Sequence, residues 1–200
     1  PPNDHASENF PLLALLAAYQ GWAGFAEYSW YNFQGGKQGH NRIQSHYATT
    51  GHAGQMCMVP AMALLFRQGL VAPAREPLTL DVPEQEIAAR VADNVWSGMS
   101  SLLEQGKGNV SDVWRRKVSC RVVASGAALN GASGLDGNSI VSDTGEIEFD
   151  RRAKDAVSLR VNAPAARLLI GRVGGRTFQL GDVRVEVGAG TRNGYANIAL

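Results

Sequence analysis

Residues 10–30 read FPLLALLAAYQGWAGFAEYSW, and the fold turns on how this stretch is understood. Leu12, Leu13, Leu15, Leu16 and Tyr19 put apolar side chains on every face of a helix, and Gln20 is its one strongly polar residue. Gly21 supplies the stop, since glycine adopts the left-handed conformation that ends helices. A helix that is apolar all round needs protein on more than one side. The rest of the chain is poorly suited to provide that cover, so the helix is expected to pack against something outside it. After a two- or three-residue connection, the length of a typical αβ link, an aromatic, strand-like run covers 25–31.

Upstream, residues 1–9 form a polar loop in which Ser7 or Asn9 can cap the helix. Pro11 then falls in the first turn, where a missing N–H costs little. Downstream, the strand ends near Asn32 and a glycine-rich loop follows. If this helix and strand belong to an α/β barrel, the loop before the helix and the loop after the strand share the C-terminal face of the strands, where barrels keep their active sites. Asn3 and His5 would then lie near Trp30, Tyr31 and Asn32.

A second helical pattern covers 53–68, with Met56, Val59, Met62, Ala63 and Phe66 at spacings of three and four. Pro60 predicts a kink or a late start, and Gly69 an end. Methionine and phenylalanine at this spacing read as core. Residues 70–80 are extended and proline-punctuated, a linker with a short strand. Pro83, followed by Glu84 and Glu86, suits the start of a helix over 83–93; 94–116 has no clear pattern. From Lys117 the period becomes two, with Val118, Cys120 and Val122 alternating with polar residues. Strand-like runs at 146–150, 156–161, 168–173, 177–180 and 183–187 follow. Gly174-Gly175 and Gly181-Asp182 suit tight hairpin turns. This half reads as an antiparallel β domain, a sandwich.

Two hundred residues with 44% hydrophobic and 18% charged residues describe one or two globular domains rather than a disordered chain. A net charge of +1 gives no strong field to hold nucleic acid. The longest apolar run is far below the ~20 residues that cross a bilayer, so no membrane partner is expected. The chain opens on Pro1 with no basic leader, and its last residues are an apolar strand-like run. It is expected to be a fragment, which leaves localisation open. Cys57 and Cys120, two isolated cysteines, read as small buried apolar residues.

Candidate chemistry is sparse. Glu27 lies in an apolar strand, where a buried carboxylate needs a partner; it is a catalytic-acid candidate, a carboxylate that binds ligand hydroxyls, or a group paired with an arginine or capped by backbone donors. His40, His46 and His52 are spaced by six, which suits neither a helix face nor a zinc site. No G-x-S-x-G elbow exists. The glycines after Gly171 precede a strand, so they form no dinucleotide loop.

Three separated segments, residues 3–30 (NDHASENFPLLALLAAYQGWAGFAEYSW), 59–74 (VPAMALLFRQGLVAPA) and 141–150 (VSDTGEIEFD), resemble the C-terminal part of bacterial glycoside hydrolases of the TIM-barrel clan, the cellulase-like and β-galactosidase-like enzymes. The resemblance implies an α+β fragment: the last αβ step of a truncated (β/α)8 barrel in 1–69, a linker and helical bridge in 70–116, and an appended antiparallel, sandwich-like β domain in 117–200. It implies a retaining mechanism on poly- or oligosaccharide, with two carboxyls about 5–5.5 Å apart. Both would precede Pro1, which leaves Glu27 as the one catalytic candidate inside the chain and the fragment inactive alone. Trp30, whose indole face suits a pyranose, would contact substrate, with Tyr31, Asn32, Asn3 and His5 around it. The family strand is apolar where this chain has Glu27, so no role transfers to that residue. No cofactor or metal is implied; the partners would be carbohydrate and the missing N-terminal part of the barrel. The alternative is a non-catalytic carbohydrate-binding or structural β module.

Overall fold

Helix α1 (Asn9–Gln20) ends where its glycine requires: Gly21 adopts φ 69°, and the N–H groups of Gly21 and Trp22 close on the carbonyls of Ala18 and Ala17. A short 3-10 turn, Ala6–Glu8, leads into it, and Glu8 rather than Ser7 or Asn9 occupies the N-cap position. The computed structural model describes residues 6–26, 30, 49, 51–92, 111–124, 139–151, 157–189 and 195–200. Within these, the chain is mixed α+β. Of the expected strand at 25–31, Phe25 and Ala26 have no regular structure and Trp30 sits in a bend; the rest lies outside the described residues.

The proline at 60 divides the second helix as its chemistry demands. Helix α2 (Ala53–Met56) stops, a turn follows at Cys57–Met58, and α3 (Val59–Arg67) restarts with Pro60 in its first turn, where no N–H is needed. Met62 of the expected stripe is buried, with Met58 and Leu65 beside it at spacings of four and three; Val59 and Phe66 pack against the same core, and Ala63 is exposed. Gly69, at φ 59°, turns the chain out of the helix.

The linker carries strand β1 (Pro77–Pro83), followed by α4 (Glu84–Ala92), and a one-turn helix α5 (Asp112–Arg115) leads into β2 (Lys117–Val123). β2 does not join the antiparallel strands that follow. It pairs in parallel with β1, Leu78 beside Val118 and Leu80 beside Cys120. Both cysteines are exposed and neither forms a disulfide, against the buried roles expected for them.

The remaining strands form an antiparallel sheet of five, in the order β3 (Ser139–Val141), β4 (Ile147–Asp150), β5 (Ser158–Ala163), β6 (Ala166–Arg172) and β9 (Tyr195–Ala199). Strands β7 (Thr177–Leu180) and β8 (Val183–Glu186) make a separate hairpin around Gly181-Asp182, as their spacing predicts. Gly174-Gly175 is no hairpin turn between paired strands: β6 and β7 belong to different sheets, and the turn, closed by Arg176 N–H to Val173 O, carries the chain from one to the other.

Alternation then decides what each sheet face meets. Ile147, Leu159, Val161, Leu168 and Ile170 point to one side and share a core with Phe10, Ala14, Leu15 and Tyr19 of α1 and with Met58, Met62 and Leu65. Leu169 points to the other side and packs with Phe178 and Leu180 of the hairpin. Helix α1 is therefore covered from within: α3 lies on one flank and the sheet on another, and Asn9 is its one exposed residue. Much of the cover is the sheet's inner face, which shows in the sequence as short strands about ten residues apart from one another; Leu12, Leu13, Leu16 and Ala18 stay half-buried.

Candidate functional site

Trp30 is the one expected substrate-contact residue that the structure describes, and it is 52% exposed. Glu27, Tyr31, Asn32, Asn3 and His5 lie outside the described residues, so no grouping of these six is observed. The glycine-rich loop expected to share a face with residues 1–9 lies outside the described residues. Ser7, before α1, and His52, before α2, flank Gly54; a Cβ placed on that glycine would stand 3.4 Å from Ser7 Cβ and 3.5 Å from His52 Cε1. His52 caps α2 by accepting the Gln55 N–H on Nδ1 at 3.3 Å. This acceptor role places the proton of a neutral imidazole on Nε2. That nitrogen is buried with no acceptor among the described residues.

At the opposite ends of the same helices, Ala18, Gly21 and Trp22 face Phe66, Arg67 and Gly69 across an open groove of about 510 Å³. Phe25 meets Phe66 edge to face, ring centroids 5.2 Å apart. Starts lie with starts and ends with ends, so α1 and α3 run side by side in the same direction. A second groove of about 420 Å³, lined by Pro60, Ala63, Leu64, Arg67 and Gln68, runs along α3, where Leu64 is 53% exposed.

The densest polar constellation lies where α1, the linker and the sheet converge. Gln20, 6% exposed, uses its whole amide on one segment: Nε2 donates to Val113 O at 2.6 Å and Arg116 O at 2.7 Å, and Oε1 accepts the Val118 N–H at 2.8 Å. Tyr19, fully buried, donates its hydroxyl to Asp143 Oδ1 at 2.8 Å and accepts the Asp143 N–H at 3.3 Å. Asp143 Oδ2 accepts the N–H groups of Arg75 and Glu76, both at 2.6 Å. Glu146 accepts the Ala72 N–H at 2.7 Å.

Burial, with the Asp143 carboxylate beside it, pushes the Tyr19 phenol far above its ordinary range. Burial also works to raise the Asp143 carboxyl, but the Glu76 N–H, the Tyr19 hydroxyl and the Arg75 N–H stabilise the charged form and together hold it below the usual carboxylate value. This is binding of protein by protein; no group here is poised for proton transfer. The sequence did contain a signal for it. A lone glutamine at the end of an apolar helix is a buried amide, and a buried amide needs partners.

No family model matches this chain, and no curated protein or solved structure matches it either. Among the described residues, no group of histidine, cysteine, aspartate or glutamate is arranged to hold a metal ion, and no helix is long and apolar enough to cross a membrane.

Proposed function

We propose that this chain is the closing part of a retaining glycoside hydrolase, comprising the last αβ step of a (β/α)8 barrel and an appended sandwich-like β domain, and that it contributes the substrate-facing end of the last barrel strand. The observation that carries this reading is the side-by-side, same-direction pairing of α1 and α3. Two neighbouring parallel helices need a return segment between them, and in α/β folds that return is a strand. Residues 21–52 are long enough to hold one, although Phe25, Ala26 and Trp30 of the aromatic run are not themselves in a strand. The convergence of Ser7 and His52 beside Gly54 supports this reading, since in a barrel the loops that precede helices gather at the end that carries the active site.

Half-exposed Trp30 supports the sugar-contact role, since an indole face packs on the C–H face of a pyranose while its N–H reaches a hydroxyl. The exposed apolar side of α3, with Leu64, is the surface on which the other helices of a barrel would pack. The alternative of an autonomous carbohydrate-binding β module is less well supported, because the sheet shares its core with α1 and α3.

The gene tests this reading. The proposal expects the sequence upstream of Pro1 to encode about six further βα units, with a glutamate at the end of the strand just before this chain. An unrelated domain or a stop codon at that point refutes it.

A further inference from the structure

The turn Ser142–Glu146 is built to hold its shape. Gly145, at φ 75°, donates its N–H to Ser142 O; Ser142 Oγ accepts the Ile147 N–H at 3.0 Å; and Thr144 Oγ1 accepts the Glu146 N–H at 3.4 Å. A self-supporting surface turn has no need to direct acids at another segment, because carboxylates are best solvated by water. This one directs one oxygen of each of its carboxylates at a single stretch of linker, and the other Asp143 oxygen at the Tyr19 hydroxyl. Asp143 and Glu146 take the N–H groups of Ala72, Arg75 and Glu76, and Ala74 donates to Tyr19 O at 2.7 Å. Pro73 and Pro77 have no N–H to offer. Every residue from 72 to 76 that has an N–H thus gives it to the turn or to α1.

Besides these bonds, Leu70 packs against the core and Glu76 O accepts the Lys117 N–H at 2.9 Å. Pro73, Arg75 and Glu76 are exposed, and Val71 and Ala74 are its buried apolar anchors. Hydrogen bonds to charged acceptors are about twice as strong as neutral ones, so the carboxylates dominate the attachment. Upstream, exposed Gly69 at φ 59° has nothing within 4 Å of where a Cβ would be, and its N–H and that of Leu70 close α3 on Phe66 O and Leu65 O.

We propose that residues 142–146 form a latch: with Asp143 and Glu146 charged and seated on residues 72–76, the linker is held against the turn and α1, and with the carboxylates neutralised residues 70–77 open locally while the core shared by α1, α3 and the sheet stays folded. The latch makes the linker's opening a local event with its own free energy, separate from global unfolding.

Hydrogen exchange read by mass spectrometry on the whole 200-residue chain tests it, comparing the wild type with the Asp143→Asn/Glu146→Gln double variant. The expected result is exchange at least 100-fold faster in peptides covering 70–77, with peptides covering 158–172 unchanged. Unchanged exchange at 70–77 overturns the proposal. So does an equal rise everywhere, which would make the turn an ordinary contributor to global stability. If the double variant does not fold, Glu146→Gln alone replaces it. That variant weakens the bond to the Ala72 N–H, so the expected result is faster exchange at that amide and no change at Glu76; equal change at both would refute a latch with two separable grips.

Discussion

Replacing Gln20 with leucine removes the most connected polar side chain of α1 while keeping its volume and helix propensity. The carbonyls of Val113 and Arg116 and the N–H of Val118 then lose their partner together. Each intramolecular hydrogen bond is worth about 1 kcal/mol net, and a buried group left without a partner costs roughly 1–3 kcal/mol. Because the sites are partly buried, some water reaches them, and leucine recovers part of the loss by burying apolar surface. The balance is a destabilisation of about 3 kcal/mol, a large share of the ~5–15 kcal/mol that holds a domain together. For a chain of this length that lowers Tm by roughly 6–12 °C. Urea titration followed by tryptophan fluorescence, with wild-type and variant midpoints compared at unchanged slope, measures it. Gln20→Glu should be at least as damaging, because it keeps the acceptor for Val118 but sets a carboxylate against two carbonyls. A loss below about 1 kcal/mol for Gln20→Leu would refute the view that α1 is fixed to the bridge by this amide.

Further outcomes follow from the same contacts. Asp143 is held below its usual value near 3.8 in the fold, so its contribution is present above that pH and is lost as pH falls through the lower folded value. The wild type should therefore lose stability in acid more steeply than Asp143→Asn, with the two curves converging at the acid end; parallel curves would contradict this. Gly171→Ala should cost at least ~3 kcal/mol, because φ is 125° there and a Cβ would clash with the Val157 carbonyl oxygen; a thermal melt within about 2 °C of wild type would count against the strand packing described. Both thiols should react with an aromatic disulfide reagent without denaturant, since Cys57 and Cys120 are exposed. Burial raises the Cys120 thiol, so its rate should climb toward alkaline pH; a thiol that reacts only after unfolding would contradict its placement.

Local signals in the sequence carried well. Gly21 and Gly69 end their helices, Pro60 restarts α3, Gly181-Asp182 turns a hairpin, and α4 begins directly after Pro83. Each of these is decided within a few residues by dihedral freedom or a missing donor. Tertiary assignments carried less well, because they depend on what arrives from far along the chain. The apolar excess of α1 was legible, but its cover comes from strands some 140 residues later, and period-two patterns do not say which sheet face meets a helix. The same limit explains β2: its alternation marks a strand, but not that β1 is its neighbour or that Cys120 and Val122 stay exposed. Asp143 was visible as part of a turn motif. Its grip on the Tyr19 hydroxyl and the linker needed the fold, since 124 residues separate the aspartate from the tyrosine.

The proposed role of this chain in closing a retaining glycosidase's site is put to the test on the product of the whole gene. Proton NMR of the anomeric signal during the first turnovers on a panel of aryl β-glycosides reads the stereochemistry before mutarotation. The expected result is hydrolysis with retained configuration and a KM at least tenfold higher for Trp30→Ala. Inverted product, or no hydrolysis of any glycoside in the panel, would contradict it.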